Sequence, residues 1–420
     1  SCLFPSSRPA GPTSCGSWQQ KMARVWARAC AVLLAASGCR AQNGWIQLNT
    51  RLASLMLLPQ DGGEQAAACL DGSPYGFYFR PSSTGSTKWT VSMDGGSWCL
   101  SEDDCMQRSR TYLGSSRGLP RASGCDCMNA LPDGRMDDCN CLHMPYCDGA
   151  SFAGFRSQAL QVPDAPETFV YFRGLRNFDS TLDWAIAHGL SSATEFVLSG
   201  VSAGGMAAFL HIDRVADRLM REAPYCSKVV ATPFVGYFLD HQSYAHQQQA
   251  FNSVMAYLYQ MQNITFGNGG VLSSACRVQF PDRPHYCLLA PHMSPFVRTP
   301  FFAFSSKYDQ WQLENILQVD WASPVYREAV LDFGEDFLRQ FQPVRADPKN
   351  GAVISSCICH MCAWDAIALR GKLAFQHYAD WYLGKTSGAA SIHVDHNLPN
   401  GNGNFHGMSC GFFPNATLLV

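Results

Sequence analysis

The stretch FVLSGVSAGGMAAFLHIDRV, at residues 196–215, places a serine where it could act as a nucleophile. Ser202 lies between Gly200 and Gly204 in the pattern Gly-x-Ser-x-Gly, after a strand-like run and before a helix-like run. A sharp turn between a strand and a helix exposes a serine hydroxyl, and the N–H groups that open the helix can stabilise an oxyanion. The pattern therefore indicates acyl transfer, although a tight turn without chemistry is the alternative because short motifs also occur by chance.

A serine hydroxyl reacts well only when a base removes its proton, and a carboxylate commonly orients that base. In hydrolases with this kind of turn, the acid and then the histidine follow the serine along the chain. Asp309 follows the strand-like run 300–306, and catalytic groups of open α/β sheets usually lie at strand ends. Asp320 is the competing acid, and either residue could instead be an ordinary loop carboxylate.

Ten histidines follow Ser202, and their spacing alone does not choose a base. His360 lies in SSCICHMCAW, whereas His393 and His396 in HVDHN are rivals. The cysteines around His360 could be metal ligands, but zinc sites usually separate paired cysteines by two or more residues. We therefore expect disulfides in this loop, and likewise in the CDC and CNC stretches at 125–127 and 139–141, with no metal and no cofactor.

The elements that must position these residues alternate between strand and helix patterns. Short apolar or alternating runs predict strands, and apolar residues three and four apart predict helices. Such alternation predicts a mostly parallel central sheet flanked by helices. The predicted strands are 76–80, 88–96, 168–174, 194–200 and 300–306, and the predicted helices are 180–190, 206–220 and 363–384.

The domain organisation follows from what interrupts this alternation. Residues 99–150 are rich in Cys, Gly, Ser and Asp and contain seven cysteines, so we interpret them as an irregular, disulfide-held insert. A chain of 420 residues fits one large α/β domain or two ordinary ones. Because no Pro- or Ser-rich linker divides it after residue 60, we expect a single domain over residues 42–420.

The composition excludes several classes of partner. Apolar residues make up 47% of the chain, enough for a sizeable core, and charged residues make up 15% with a formal net charge of −2. Without a basic tract, a nucleic-acid surface is not expected. No run after the first 41 residues approaches the roughly 18 apolar residues of a membrane span, so we expect no stable membrane insertion. We also expect the protein to be a monomer.

The N-terminal residues resemble a secretory signal. Met22 is followed by arginines and then by the apolar run 29–38, with Ala41 as a plausible cleavage residue. We interpret residues 22–41 as a signal peptide and residues 1–21 as an extension before it. A weak, uncleaved anchor is the alternative.

The cysteines and two glycosylation motifs also indicate export. Nineteen cysteines are typical of an oxidising compartment, and the fifteen from Cys69 onward are an odd number, so one should be free or pair with another chain. Sequons at Asn263 and Asn415 agree with a secreted glycoprotein.

Eight blocks in the same order resemble the pectin acetylesterase family, which includes the Notum-type carboxylesterases. PYCDGASFAG, for example, is similar to the family's RYCDGASFSG, and YDQWQ to its YDSWQ. Eight ordered blocks are far more specific than any single motif. The blocks are MDGGSWCLSEDDC (93–105), RTYLGSSRG (110–118), PYCDGASFAG (145–154), YFRGLR (171–176), GVSAGGMAAFLHIDRV (200–215), GYFLD (236–240), YDQWQ (308–312) and SSCICHMC (355–362).

The resemblance implies an α/β-hydrolase-like fold and serine esterase chemistry. It implies a nucleophile, an acid and a base at Ser202, Asp309 and His360. It also implies an oxyanion hole made by backbone N–H groups, and two disulfides. The N–H groups are those of Gly96, Ser97 and Ala203, and the disulfides are Cys99–Cys105 and Cys69–Cys147.

Three departures from the family pattern concern the substrate. Val201 stands where the motif usually has serine, and Asp94 and Ser97 replace the usual residues of the oxyanion loop. The cysteine-dense segment 125–141 has no counterpart in the pattern. The first two departures put the shape of the acyl pocket in question, and the third puts the identity of the substrate in question.

The leading substrate hypothesis is an O-acetyl ester on an extracellular polysaccharide such as pectin. Aromatic residues could stack on sugars or simply pack in the core, and Trp98 and Tyr146 are the substrate-binding candidates, beside Trp311 and Trp364. One alternative is a Notum-type deacylase that removes a longer acyl chain from a protein. Another is a non-catalytic carbohydrate- or lipid-binding homologue.

Overall fold

The computed structural model describes residues 51–60, 63, 66–128, 138–163, 165–248, 250–265, 270–362, 364 and 367–399. All of them belong to one compact unit that spans Leu48–Val420. The expected signal segment and the extension before it lie outside the described residues, as does the sequon at Asn415.

The described residues form fourteen strands, ten of them in one central sheet. The strands are β1 Arg51–Leu57, β2 Gly76–Arg80, β3 Lys88–Met93, β4 Ala122–Cys125, β5 Asn140–Met144, β6 Leu160–Val162, β7 Ala165–Val170, β8 Glu195–Val201, β9 Lys228–Phe234, β10 Phe302–Ser306, β11 Gly351–Ser355, β12 Ala368–Leu369, β13 Lys372–Leu373 and β14 Ile392–Val394. The order in the central sheet is β14-β11-β10-β9-β8-β3-β5-β2-β1-β4.

Seven strands of the central sheet, from β14 to β5, run parallel, and the last three continue it in antiparallel fashion. Every residue of β10 and β11 is buried, as expected for parallel strands covered on both faces. The prediction of a mostly parallel sheet flanked by helices is therefore confirmed, and the architecture is α/β-hydrolase-like.

Helices cover the sheet and follow its strands along the chain. The helices are α1 Glu102–Ser109, α2 Gly174–Ala187, α3 Ala203–Glu222, α4 Ala250–Met261, α5 Ser274–Gln279, α6 Ala290–Met293, α7 Gln310–Gln312, α8 Arg327–Gln340, α9 Gln342–Ala346 and α10 Ala374–Tyr382. The longest, α3, connects β8 to β9 and buries its first ten residues, which include small residues that let it approach the sheet closely.

The predicted helix over 363–384 is wrong in its first half. Residues 368–373 form the β12–β13 hairpin, and helix α10 begins only at Ala374. Arg370 and Gly371 both have positive φ, of 52° and 78°, which suits the two central residues of a tight hairpin turn. The periodicity of the apolar residues did not reveal this turn.

Two further predictions need correction. Residues 168–174 are not one strand, because β7 ends at Val170 in a separate two-stranded sheet with β6, and α2 begins at Gly174. The segment 99–150 is more regular than predicted, since it supplies α1 and the strands β4 and β5 of the central sheet.

Disulfides account for most of the described cysteines. The expected Cys69–Cys147 and Cys99–Cys105 bridges are present, and Cys226 is the free cysteine among the described residues. The other bridges between two described residues are Cys125–Cys141, Cys127–Cys139, Cys276–Cys287 and Cys359–Cys362. The CDC and CNC stretches are therefore paired with each other, and they tie the end of β4 to β5 as predicted for a disulfide-held insert.

Within the part of the chain that the structure describes, no helix combines the length and the apolar character needed to cross a membrane.

Candidate active site

Four segments that contain candidate residues meet at the carboxyl edge of the parallel strands. Ser202 directly follows β8, Asp309 lies three residues after β10, and His360 lies five residues after β11. The loop with Gly96 and Ser97 follows β3, which pairs with β8. Since carboxyl ends of parallel strands lie on the same edge, this topology brings distant parts of the sequence to one site.

Ser202 occupies a strained turn between β8 and α3. Its φ and ψ are 58° and −122°, a conformation that is rare for a residue with a side chain. The flanking glycines allow this turn, because a Cβ at Gly200 would lie 2.1 Å from the Gly204 oxygen, and one at Gly204 would lie 2.3 Å from the Met93 oxygen. The Gly-x-Ser-x-Gly pattern thus has the geometry of a nucleophile elbow.

Ser202, His360 and Asp309 form a continuous chain of hydrogen bonds. Ser202 Oγ lies 2.8 Å from His360 Nε2, and His360 Nδ1 lies 2.7 Å from Asp309 Oδ2. The three residues are 8%, 6% and 1% exposed, so water competes little for these bonds. An ionised carboxylate only accepts hydrogen bonds, so Nδ1 carries the proton and Nε2 is left to accept the serine hydroxyl.

The carboxylate of Asp309 is held by its own turn. Its other oxygen, Oδ1, accepts a hydrogen bond from the backbone N–H of Gln312 at 3.0 Å and caps the short helix α7. The Gln312 side chain in turn accepts from Leu239 N–H at 2.9 Å and donates to the Tyr237 carbonyl at 3.1 Å. The Gln312 side chain therefore links the YDQWQ block, which contains Asp309, to the GYFLD block.

The other candidate acid and bases, Asp320, His393 and His396, do not hydrogen bond to Ser202, Asp309 or His360. Asp320 is exposed and accepts from the N–H of Ala322, and His396 is also exposed. His393 is buried against His377, with ring centroids 3.7 Å apart. Burial and the neighbouring His377 lower the pKa of His393 to about 4. Among the candidates that the sequence left open, Asp309 and His360 are therefore the acid and the base that the structure connects to Ser202 by hydrogen bonds.

The loop that carries His360 is held by covalent bonds. Cys359 pairs with Cys362, and Cys357 is also disulfide-bonded. Ser306 Oγ, at the end of β10, donates to the carbonyl oxygen of Cys357. Among the described residues, the group with metal-ligand spacing is Cys127, Cys139 and Cys141, and those sulfurs are themselves in disulfides.

The loop of the expected oxyanion donors lies against the elbow. A Cβ at Gly95 would come within 2.6 Å of Ser202 Cβ and 3.0 Å of the Ala203 nitrogen. Gly96 and Ser97 have φ of 152° and 59°, and neither backbone N–H hydrogen bonds to another described residue. Ala203 is the first residue of α3, where the helix dipole favours negative charge. These N–H groups are thus available to an anion beside Ser202.

The substrate-binding candidates pack inside the protein. Tyr146 is 2% exposed, and its hydroxyl donates to the Ser97 carbonyl at 2.8 Å. Trp98 is 3% exposed and contacts the rings of Phe238 and Trp311 at centroid distances of 4.9 and 5.5 Å. Trp364 is also buried, so core packing is the better interpretation for Tyr146 and Trp364.

An aromatic cluster, formed by Trp98, Phe238, Phe251 and Trp311, lies next to the histidine. The rings of Phe238 and Trp311 each lie 6.2 Å from the imidazole of His360. No sequence pattern predicts that Phe251, or Phe238 in the GYFLD block, lies near His360. Their positions beside the imidazole depend on contacts between segments that are distant in the sequence.

Asp148 is a buried carboxylate next to Gly149, whose carbonyl accepts a hydrogen bond from Cys99 in the loop after β3. Its Oδ2 accepts from the N–H groups of Ala150 at 3.1 Å and Phe152 at 2.9 Å, and the residue is fully buried. Burial raises the pKa of Asp148 to about 6, although these two hydrogen bonds and the charge of Arg108 act in the opposite direction. Part of the energy of folding in this region therefore depends on pH.

The fold and the site define a class, the α/β-hydrolase-like enzymes with a serine at an elbow. A family model described as pectinacetylesterase matches residues 48–405, so the chain belongs to the pectin acetylesterase family. Membership places it among the carboxylic ester hydrolases, as the resemblance of the eight blocks implied.

Known relatives differ in the ester that their names specify. Pectin acetylesterase 11 of Arabidopsis thaliana is 29% identical over 70% of this chain and 77% of its own length, and pectin acetylesterase 7 of the same plant is 28% identical over 78% and 87%. Human palmitoleoyl-protein carboxylesterase NOTUM is 29% identical over 66% of this chain and 53% of its own length.

The variant Asp148→Asn tests the buried carboxylate. Because the folded-state pKa lies above the unfolded value of about 3.9, the native state binds the extra proton between about pH 4 and pH 6, and this contribution to stability is lost as pH rises. The free energy of unfolding of Asp148→Asn, minus that of the wild type, should therefore rise by up to about 3 kcal/mol from pH 4 to pH 7.

Urea denaturation at several pH values measures this difference, and the exposed variant Asp320→Asn supplies the baseline. A difference for Asp148→Asn that follows the Asp320→Asn baseline at every pH would contradict a raised pKa at Asp148.

Proposed function

We propose that the protein is a secreted serine carboxylesterase that hydrolyses O-acetyl esters on an extracellular polysaccharide such as pectin. The observation that carries the proposal is the buried hydrogen-bonded chain from Ser202 through His360 to Asp309. Such a chain is the arrangement that activates a serine hydroxyl for attack on an acyl carbon.

In the first step His360 Nε2 accepts the proton of Ser202 while Oγ attacks the ester carbonyl. Asp309 keeps the proton on Nδ1 and stabilises the imidazolium that forms. The carbonyl oxygen becomes an oxyanion and accepts hydrogen bonds from the backbone N–H groups of Gly96, Ser97 and Ala203. The C–O bond to the alcohol then breaks, and the imidazolium donates its proton to the departing oxygen.

In the second step water hydrolyses the acyl-enzyme. His360 accepts a proton from the water as its oxygen attacks the acyl carbon, and the same N–H groups stabilise the second oxyanion. Collapse of this intermediate returns the proton to Ser202 Oγ and releases the carboxylic acid. Apart from the ester and water, this route uses only side chains and backbone groups of the chain itself.

An acetyl group is the favoured acyl group because aromatic rings fill space near the base. The centroids of Trp98, Phe238 and Trp311 lie 4.9 to 5.5 Å apart, and Trp98 and Phe238 are almost fully buried. Rings packed this closely leave little room for a long alkyl chain beside the imidazole. The greater coverage of the plant relatives, which are named as pectin acetylesterases, supports the same choice.

Removal of a longer acyl chain from a protein is the second candidate. It is supported by the match to the NOTUM relatives, whose name specifies a palmitoleoyl-protein substrate. Such an activity requires an apolar pocket that opens when the rings around Trp98 and Trp311 move. Trp311 is partly exposed, which makes it the ring best placed to move.

Export is part of the proposal. Six disulfides among the described residues fit an oxidising compartment, and Asn263 of one sequon is exposed. We propose that residues 1–41 comprise an extension and a signal peptide, and that residues 42–420 form one esterase domain.

Two substitutions test the catalytic assignment. Ser202→Ala should lower kcat for p-nitrophenyl acetate by roughly 10⁴-fold or more, and Asp309→Asn should lower it by about 10³–10⁴-fold. Each substitution removes one of the three side chains that act together in catalysis. Both variants should keep the wild-type circular dichroism spectrum. Asp320→Asn is the matched control and should retain wild-type activity.

A fluorophosphonate probe should label wild-type protein at Ser202 and fail to label Ser202→Ala. Wild-type turnover by Ser202→Ala would sink the assignment, and wild-type protein that neither turns over esters nor reacts with the probe would favour a non-catalytic binding protein.

A profile of ester chain length separates the two substrate hypotheses. With p-nitrophenyl esters from acetyl to octanoyl, kcat/KM should be highest for acetyl and fall by at least about tenfold at octanoyl, if the rings exclude longer chains. The protein should also release acetate from acetylated pectin. A higher kcat/KM for octanoyl than for acetyl would favour the deacylase of a lipidated protein.

Amino-terminal sequencing tests the export proposal. Protein collected from the medium of a secreting eukaryotic host should begin near residue 42. Recovery of the chain only inside the cells, with the segment 22–41 still attached, would contradict it.

A further inference from the structure

We propose that Arg108 and Tyr146 are positioning residues that hold the peptide groups on both sides of Ser97 and so orient its backbone N–H as an oxyanion donor. The inference rests on the proposed esterase function and adds two residues to it. Neither residue was assigned this role by the sequence patterns: Arg108 lies between two of the family blocks, and Tyr146 was a candidate for sugar stacking.

Arg108 holds the first of the two peptide groups. It lies in the last turn of α1, and its Nη2 donates a hydrogen bond to the Gly96 carbonyl oxygen. Its Nε donates to the Leu113 carbonyl at 3.3 Å, and its guanidinium lies over the Tyr146 ring at 5.4 Å. These contacts fix the plane of the guanidinium as well as its charge.

Tyr146 holds the second peptide group. Its hydroxyl donates to the Ser97 carbonyl at 2.8 Å and accepts from the Ser151 N–H at 3.0 Å. Burial and the nearby Asp148 raise the pKa of Tyr146 well above its ordinary value, so the phenol remains a donor at any pH at which the protein works. Ser151 is itself tied to the loop, because its Oγ accepts from Trp98 Nε1 at 2.8 Å.

The direction of the N–H groups follows from peptide geometry. Cis peptide bonds are absent from the described residues, and in a trans peptide the C=O and N–H groups point to opposite sides. Arg108 holds the Gly96 carbonyl, so it also sets the direction of the Ser97 N–H. Tyr146 holds the Ser97 carbonyl, in the peptide group on the other side of the same residue, so the two hydrogen bonds together restrain the backbone rotation of Ser97 that would turn its N–H. The Ser97 N–H itself does not hydrogen bond to another described residue.

The conformation of this loop is one that needs external support. Ser97 has φ of 59°, and a residue held in such a region costs of order 1 kcal/mol or more unless its surroundings hold it there. Gly96 has no room for a side chain, because a Cβ would lie 2.6 Å from Leu113 Cδ2 and 3.2 Å from both Arg108 and Tyr146. The two hydrogen bonds act on both sides of the strained residue.

A disulfide connects the positioning helix to the loop it supports. Cys99, two residues after Ser97, is bonded to Cys105 of α1, which lies one helical turn before Arg108. The backbone N–H of Cys99 donates to the Gly149 carbonyl at 3.1 Å, which joins the loop to the segment of Tyr146. The loop, the arginine and the tyrosine therefore form one rigid unit beside the elbow.

The variants Arg108→Gln and Tyr146→Phe test the proposal. Because a peptide group that tilts weakens its hydrogen bond mainly in the transition state, each should lower kcat about 10- to 100-fold while KM changes less than about threefold. Arg110→Gln, an exposed arginine two residues away, is the matched control and should keep wild-type kinetics.

A tetrahedral inhibitor separates positioning from a general structural role. An alkylboronic acid forms a tetrahedral adduct on the nucleophilic serine and places an oxygen in the oxyanion hole. Its inhibition constant should rise in Arg108→Gln and Tyr146→Phe by about the same factor as kcat/KM falls, with the fraction of sites titrated by fluorophosphonate unchanged.

Three outcomes would decide against the proposal. Wild-type kcat in both variants would overturn it, as would a kcat that falls only in proportion to the titratable sites, or an unchanged boronate constant in variants with reduced kcat. If Arg108→Gln does not fold, Tyr146→Phe, which removes a single oxygen, decides alone. Failure of the proposed function would be seen separately, as a wild-type enzyme that the probe does not label at Ser202.

Discussion

The imidazole of His360, hydrogen-bonded on one side to Ser202 and on the other to Asp309, is the interaction on which the site depends. A buried imidazole in this position needs both partners, since an unsatisfied polar group in the interior is costly. The three loops that carry Ser202, His360 and Asp309 must therefore bring these side chains within hydrogen-bonding distance of one another. The parallel sheet meets this requirement, because β8, β10 and β11 end at the same edge.

The second constraint is the close contact between the elbow and the loop after β3. Gly95, Gly200 and Gly204 bring backbone to within van der Waals contact of backbone, and a side chain at any of them would collide with it. Such packing restricts the motion of the loop next to Ser202. Arg108 and Tyr146 hydrogen bond to carbonyl groups of the loop and hold its strained conformation, and the Cys99–Cys105 bridge ties the loop to α1.

The cysteine-rich segment is held by disulfides, as its composition indicated, but it also belongs in part to the central sheet. The pair Cys125–Cys141 joins β4 to β5, both of which belong to the central sheet, and Cys127–Cys139 joins the residues just after β4 to the residue just before β5. β4 therefore forms the antiparallel edge of the sheet, whereas Met128, next to Cys127, belongs to the same buried cluster as Cys359, Cys362 and Trp364.

The sequence by itself determined the features that depend on local chemistry: the Gly-x-Ser-x-Gly turn, most strands and helices, an odd number of cysteines and, through eight ordered blocks, the family. Tertiary structure brought Asp309 and His360, rather than Asp320 and His393, into one hydrogen-bonded chain with Ser202, and it alone showed the β12–β13 hairpin and the contacts that support the loop after β3. The reason is that hydrogen bonds such as Tyr146 to Ser97, 49 residues apart, depend on how strands are ordered in the sheet, and periodicity along the chain does not encode that order.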